Sequence, residues 1–226
     1  MTDTLQNRRP LKVRAAVWPR ALAARLAAAK VSPDTISAAS VAFAAVGGGL
    51  LLLAATPDPV LRGVCLIAAA LCVQLRLVCN LLDGLVAVEH GRGGPAGPIW
   101  NELPDRLADV LLLVGAGYGA RALGLPGAEI AGWIAAMLAV TTAYVRELGR
   151  GLGQPADFSG PMAKPQRMAV LTAACVISAF EPLWGGRGQV MVVALAVIAV
   201  GALVTVVRRT HRLAGRLGED PSSRRT

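Results

Sequence analysis

The sequence predicts an all-α fold: a polytopic membrane helix bundle of about six transmembrane helices, preceded by an interfacial amphipathic helix. Composition is the first reason. Of 226 residues, 54% are hydrophobic and 16% charged, with a mean hydropathy of +0.55, too apolar for a soluble domain of this size. The second is the recurrence of uncharged runs near the ~20 residues that a bilayer core requires. The third is the placing of Lys and Arg, which gather at the two ends and in alternate loops.

The chain reads as one membrane domain (32–208) between a basic N-terminal arm (1–31) and a basic tail (209–226). Within the arm, residues 11–29 carry Trp18, Leu22 and Leu26 at helical spacing, opposed by Arg14 and Arg25. That is the pattern of a helix lying on a membrane surface, here bent at Pro19. Ser32 can then cap the first span, with Pro33 in its first turn. Spans are expected over 36–55, 60–82, 103–123, 129–148, 168–184 and 189–207, with Pro- and Gly-rich gaps between them such as Thr56-Pro57-Asp58-Pro59. In the third span Gly115, Gly117 and Gly119, with Ala116 and Ala120, form a small-residue stripe suited to close helix packing, inside one chain or across a homodimer.

Orientation follows from the basic residues. Arg20, Arg25 and Lys30 precede the first span, Arg92 lies in the second loop, Arg150, Lys164 and Arg167 in the fourth, and Arg208, Arg209, Arg212 and Arg216 after the last. The opposite loops offer little beyond Arg62, Arg121 and Arg187. Both termini and the two polar loops 89–100 and 149–166 are therefore expected on the cytoplasmic side of an inner membrane. With only 4% aromatic residues to interleave with base, the net charge of +9 points to anionic lipid headgroups, and no nucleic-acid partner is expected. Cys65, Cys72 and Cys79 recur every seven residues and, with Cys175, read as packing thiols rather than disulfides or zinc ligands.

Arg76, Asn80, Asp83 and Ala87 are separated by four, three and four residues, and share one helix face at about 100° per residue. Asn101, Asp105 and Asp109 repeat every four. Ionisable groups in a span cost roughly 2.5–3.5 kcal/mol each, so two such stripes on neighbouring helices require a reason. Converging oxygen donors suit a hard divalent cation, Mg2+ or Mn2+, with positions left open for a diphosphate. Gly84 and the glycines of 91–97 would let a substrate approach the backbone. Part of the stripe can equally be structural. At ~1.5 Å per residue, Arg76 lies about 10 Å deeper than Asp83 and Asp109 about 12 Å deeper than Asn101, so those two can pair at one depth.

The stretch from Asn80 to Asp105 resembles the motif of the CDP-alcohol phosphatidyltransferases, D-x2-D-G-x2-A-R-x8-G-x3-D-x3-D. Asn80, Asp83, Gly84, Ala87, Val88, Gly97, Asn101 and Asp105 keep every spacing across 26 positions. Asn80 and Asn101 stand where the family has Asp, and Val88 where it has Arg. This arrangement is similar to a divergent bacterial branch of the family with N-x2-D-G and N-E-x2-D-x3-D. Three further segments are similar to the family: Ser32 to Ser37, Tyr144 to Glu147, and Gly160 to Arg167.

The resemblance implies transfer of a phosphatidyl or phosphoalcohol group from a CDP-activated donor, CDP-diacylglycerol or a CDP-alcohol, to an alcohol acceptor, with release of CMP. It implies that Asn80, Asp83, Asn101 and Asp105 hold one or two ions of Mg2+ or Mn2+. Asp105 would be the general base, with Asp109 as the second candidate. Thr35, Gly84, Ala87 and Gly97 would border the CDP moiety. Arg76, Arg146, Lys164 and Arg167 would meet substrate phosphates. Asp109, Glu102 and Glu89 are the carboxylates near enough to replace the charge missing at Asn80 and Asn101. A homodimer in the lipid bilayer is the implied assembly. An intramembrane prenyltransferase would need a second acidic motif in the later helices, and none follows Asp109. A catalytically silent relative acting as a membrane scaffold or transporter is the alternative, and metal-dependent CMP release separates it from the enzyme.

Overall fold

The structure, a computed structural model, describes residues 16–89, 91 and 96–219. The start of the expected arm helix, most of the glycine-rich 91–97 loop and the last residues of the tail lie outside the described residues. Seven α-helices follow in order: α1 Val17–Ala28, α2 Pro33–Leu53, α3 Pro59–Glu89, α4 Gly97–Ala122, α5 Ala128–Gly151, α6 Lys164–Phe180 and α7 Gln189–Glu219, with a 3-10 turn, Glu181–Trp184, after α6.

Five of the long helices, α2, α3, α5, α6 with its 3-10 extension, and α7, are long and apolar enough to cross a membrane. Helix α4, of 26 residues, falls short of the six comparable spans expected, because Glu102, Asp105, Arg106 and Asp109 interrupt its first half. Large apolar side chains stand exposed around the bundle, among them Leu52, Ile67, Leu71, Met137, Val193 and Val200. Such a surface is a liability in water and a match for lipid tails. The chain is a multi-pass helical membrane protein.

Several helices outrun their apolar runs. Helix α3 continues to Glu89 and α7 to Glu219, so residues 209–219 continue the last helix. Hydropathy marks where a chain leaves an apolar medium, whereas backbone hydrogen bonds carry the helix further. Helix α1 starts at Val17 and places Pro19 in its first turn, where the missing N–H has no intrahelical acceptor to lose, so Pro19 does not bend a longer helix. Ser32 caps α2 as its type suggests: its hydroxyl accepts from the Thr35 N–H at 3.1 Å, with Pro33 as the first helical residue.

Helix α2 packs on α3 and α4, α4 on α5, α5 on α7, α7 on α6, and α6 on α3, which closes a ring of six. Its core is aliphatic, with Leu112, Leu113, Leu171, Leu195 and Ile198 fully buried. Small residues set the closest approaches. A Cβ on Gly115 would fall 2.8 Å from the Gly48 Cα, and one on Gly119 2.2 Å from the Leu51 carbonyl oxygen. A Cβ on Gly117 would fall 2.7 Å from the Ala128 carbonyl oxygen. The glycine stripe of α4 is therefore used up within the chain, against α2 and α5. All four cysteines are free and buried.

Because the six helices alternate in direction, the starts of α2, α4 and α6 meet the ends of α3, α5 and α7 at one rim. Helix α1 lies against α3 at that rim, with Pro19 and Ala23 buried and Arg20 3.6 Å from Glu89. At the opposite rim Arg62 of α3 meets Glu181 at 2.5 Å, both nearly inaccessible. Glu181 also accepts from the backbone N–H groups of Gly188 and Val190, each at 2.8 Å, tying the 3-10 turn to the start of α7.

Candidate active site

The two polar stripes of α3 and α4 converge where α6 begins. Asp83 is buried near the end of α3, and the Ser37 hydroxyl of α2 donates to its Oδ2 at 2.7 Å. Its Oδ1 has no partner. Asp105, partly exposed on α4, accepts from Lys164 Nζ at 2.5 Å through Oδ2, while its Oδ1 has no hydrogen-bond donor and lies 3.7 Å from Arg76. Asp83 and Asp105 are within electrostatic reach of each other. The Asn80 amide nitrogen is likewise buried and unpartnered. Asn101 is exposed and donates to Glu102 at 3.3 Å.

Below this rim lies a charge node. Arg76, fully buried, donates to Asp109 Oδ1 at 2.7 Å and to the Asp105 carbonyl at 3.0 Å. Arg167 of α6 takes the other Asp109 oxygen and donates to the Met162 carbonyl at 3.3 Å. Asp109, expected as a second base, thus has both oxygens engaged by arginines. The other carboxylates expected to compensate for the two asparagines are engaged as well. Glu102 is bonded to Arg106 and to Arg146, and Glu89 forms an exposed ion pair with Arg20 at 3.6 Å. Among the described residues no three His, Cys, Asp or Glu side chains group in a way that could hold a metal ion.

The four basic residues expected at substrate phosphates are all paired with carboxylates: Arg76 and Arg167 with Asp109, Lys164 with Asp105, and Arg146 with Glu102 and Glu147. Arg146 also lies over the Phe158 ring, 5.4 Å from its centroid. Thr35 is exposed in the first turn of α2, its hydroxyl 2.8 Å from that of Ser32. Ala87 is half-buried, and a Cβ on Gly84 or Gly97 would meet nothing within 4 Å. Gly84 and Gly97 thus each border open space, and Gly84 directly follows Asp83 in α3.

Three site residues escaped the sequence reading. Ser37, which holds Asp83, looked like part of a helix start. Thr205 and Arg209 lie one turn apart on α7 and hold the segment that delivers Lys164 and Arg167. Thr205 accepts from the Met162 N–H at 3.0 Å. Arg209 donates to the Ser159 carbonyl at 2.9 Å and to the Thr142 carbonyl at 2.7 Å. Between them Gly160 takes φ +121°, and a Cβ there would fall 2.4 Å from the Thr205 methyl group, so the segment passes α7 only as glycine. Asp157 anchors the same loop. Burial alone would raise its carboxyl, but the Ser159 N–H that donates to it, with the charges of Arg212 and Arg209, holds it below the usual carboxylate range.

No family model matches the chain. A phosphatidylinositol phosphate synthase of Mycolicibacterium smegmatis is 28% identical over 188 residues, 81% of this chain and 78% of that one. A bifunctional IPC transferase and DIPP synthase of Rubrobacter xylanophilus is 33% identical over 179 residues, which is 76% of this chain and 34% of that longer protein. Among solved structures, Mycobacterium tuberculosis phosphatidylinositol phosphate synthase with CDP-DAG bound shares the fold with a TM-score of 0.70 at 22% identity, covering 88% of this chain and 94% of that one. The same protein in complex with manganese and citrate gives a TM-score of 0.68 at 22% identity, over 86% and 88% of the two chains. A chain that keeps the spacing of the motif from Asn80 to Asp105, aligns with one such synthase over most of its length and folds like another belongs to the CDP-alcohol phosphatidyltransferase family, and is an enzyme of that family.

Proposed function

We propose that this enzyme transfers a phosphatidyl group from CDP-diacylglycerol to the hydroxyl of an alcohol acceptor, with release of CMP and dependence on Mg2+ or Mn2+. The observation that carries the reading is the pair of unpartnered oxygens, Asp83 Oδ1 and Asp105 Oδ1, beside the unpartnered Asn80 amide at one rim. Buried carboxylate oxygens without donors are costly unless a cation meets them. The donor set is all oxygen once the Asn80 amide is turned, and it fits a hard divalent ion. Asp83, Asp105, Asn80 and Asn101 would hold it, and the ion would neutralise the diphosphate and ease the departure of CMP.

The remaining work falls to the chain's own groups. Asp105 would accept the acceptor's hydroxyl proton, and Ser37 would keep Asp83 facing the ion. The open space beside Gly84, Ala87 and Gly97, with Thr35 at its edge, would admit the cytidine. Lys164 and Arg146, the more exposed of the paired bases, would turn to substrate phosphates. The M. tuberculosis synthase carries CDP-DAG in one structure and manganese in another, which supports a CDP-lipid donor and a divalent ion here. A rim site lets lipid tails remain in the bilayer while a polar acceptor arrives from water. That rim carries Arg20, Arg25, Arg150, Lys164 and Arg212, which supports its placement on the cytoplasmic face, with both termini on that side. A homodimer would have to form through faces other than the Gly115 to Gly119 stripe.

The test is CMP release by purified protein in lipid, given CDP-diacylglycerol and a panel of alcohols and alcohol phosphates, with inositol phosphate first. Metal-dependent CMP that appears with one acceptor and is lost in Asp83→Asn and Asp105→Asn is the expected result. No CMP with any acceptor, from CDP-diacylglycerol or from soluble CDP-alcohols with diacylglycerol, would leave the silent scaffold as the better account.

A further inference from the structure

We infer that α1 is a docking surface for anionic lipid headgroups, and that its seating on the leaflet braces the Asp83–Ser37 pair from behind. The surface stands on its own observations, and only its consequence for turnover rests on the enzyme reading above. Helix α1 carries two stripes of i, i+4, i+7 spacing, about 100° apart. Pro19, Ala23 and Leu26 form the inner one, with Pro19 and Ala23 buried against α3. Trp18, Leu22 and Arg25 form the outer one, where Trp18 is 51% exposed, and Val17 nearby is 84% exposed. Arg20 and Lys30 are exposed as well, and among the described residues Glu89 is the one carboxylate in an ion pair with any of these three bases. A helix of 12 residues is marginal alone, so α1 depends on what covers both of its stripes. The outer one lies at the rim where the spans begin, and tryptophan flanked by bases at that level matches an anionic leaflet.

The inner stripe connects that surface to the site. The main aliphatic core of the bundle is separate from a second, smaller cluster at this rim. Ala23 of α1, Ile36 of α2, and Leu82, Leu85 and Val86 of α3 belong to it. Ile36 and Leu82 immediately precede Ser37 and Asp83, the pair joined at 2.7 Å. Helix α1 therefore closes the cluster on which both members of the pair are mounted, and lifting α1 would uncover it. Lys30 fixes how α1 leans on α2. It takes φ +60°, the left-handed turn usually given to glycine after a helix, with its N–H on the Ala27 carbonyl and that of Val31 on the Leu26 carbonyl, each at 3.0 Å. The turn sets one of the three bases at the joint between the two helices.

The test places the purified full chain in nanodiscs of phosphatidylcholine, with and without phosphatidylglycerol, and reads amide exchange over 20–30 and 78–89 by mass spectrometry. Anionic lipid should slow exchange over 20–30 at least about tenfold at low salt, since each base at an anionic surface contributes a factor of about five. Exchange over 78–89 should slow in the same direction, and high salt should erase both effects. Arg25→Gln with Lys30→Gln, which leaves the Arg20–Glu89 pair intact, should lose most of the slowing. At a fixed content of CDP-diacylglycerol, CMP release should rise with the anionic fraction in the wild type and not in this double variant. Equal exchange over 20–30 in the two lipids overturns the inference, and this arm requires no variant to fold. Slowing confined to 20–30, with exchange over 78–89 and CMP release unchanged, overturns the bracing of Asp83. Absence of CMP in every lipid counts against the enzyme reading alone, because the exchange arms still decide the docking surface.

Discussion

Arg76 Nη2 donates to Asp109 Oδ1 at 2.7 Å between α3 and α4, with the two side chains 0% and 6% exposed. Since Arg167 of α6 takes the second oxygen, one carboxylate joins three helices just beneath the rim. Its removal would leave two buried guanidinium groups facing each other. Asp109→Ala is expected to cost about 3–5 kcal/mol, read as a fall in the thermal midpoint in detergent. Asp105 is partly exposed and holds no such node. Asp105→Asn should leave the midpoint nearly unchanged while lowering CMP release about 100- to 10,000-fold. An inactive Asp109→Ala with an unshifted midpoint would return Asp109 to the reacting groups.

The pair at the other rim supplies the contrast. Glu181 is fully buried, holds Arg62 at 2.5 Å and accepts from the Gly188 and Val190 N–H groups. Glu181→Ala strands a buried arginine and frees the start of α7, with an expected cost of about 3–5 kcal/mol. Among the described residues no hydrogen bond or ion pair joins Glu181 to Asp83 or Asp105, so Mn2+ affinity measured below the melting transition should match the wild type. A changed affinity would mean that the two rims are coupled through the bundle.

Polar residues in an apolar setting made much of this molecule legible. The stripes of α3 and α4 stood out because charge inside a span has to be explained, and the depth argument for Arg76 and Asp109 held because their helices run in opposite directions and meet across the bundle at that depth. The partner of each base was beyond reach. That Asp109 takes Arg167, 58 positions away, depends on α6 packing against α3, which no local pattern encodes. Arg209 read as one more positive charge of a tail, because hydropathy drops there. Its burial and its two carbonyl partners come from α5 and from the loop before α6. Ser37 was hidden by a helix start, where serine is ordinary. The glycine stripe was plain in the sequence, yet its partner helix was not, since a small-residue face fits a helix of the same chain or of another equally well.

Two glycines on neighbouring helices should respond in opposite ways to the same methyl group. Gly119 has no room for one, since its Cβ would stand 2.2 Å from the Leu51 carbonyl oxygen of α2, which is backbone and cannot swing aside. Gly119→Ala should therefore cost about 1–3 kcal/mol or more and lower the thermal midpoint. At Gly84 a Cβ meets nothing within 4 Å, and alanine is the better helix former by about 1 kcal/mol. Gly84→Ala should melt no lower than the wild type but bind CDP more weakly in equilibrium dialysis, because the methyl group projects into the space proposed for the nucleotide. Undiminished CDP binding in a well-folded Gly84→Ala would move the cytidine elsewhere.

The loop before α6 is held by side chains of α7, and its acid sensitivity has a definite sign. Asp157 accepts from the Ser159 N–H at 2.8 Å, and these contacts hold its folded-state carboxyl below the ~3.9 of an unfolded Asp. A lowered carboxyl stabilises the folded loop fully above that value and loses its contribution as pH falls through the lower, folded one. Amide exchange over 154–163 should therefore keep its protection from pH 8 down to about pH 4 and lose it below. In Asp157→Asn the acid step should vanish and protection should be lower throughout. Arg209→Ala acts from the other side by releasing the Ser159 and Thr142 carbonyls. It should raise exchange over the same residues at neutral pH and raise KM for the acceptor more than it lowers kcat, since the loop places Lys164 rather than Asp105. A pure kcat loss with unchanged exchange would mean that Arg209 touches the reacting groups instead of holding the loop.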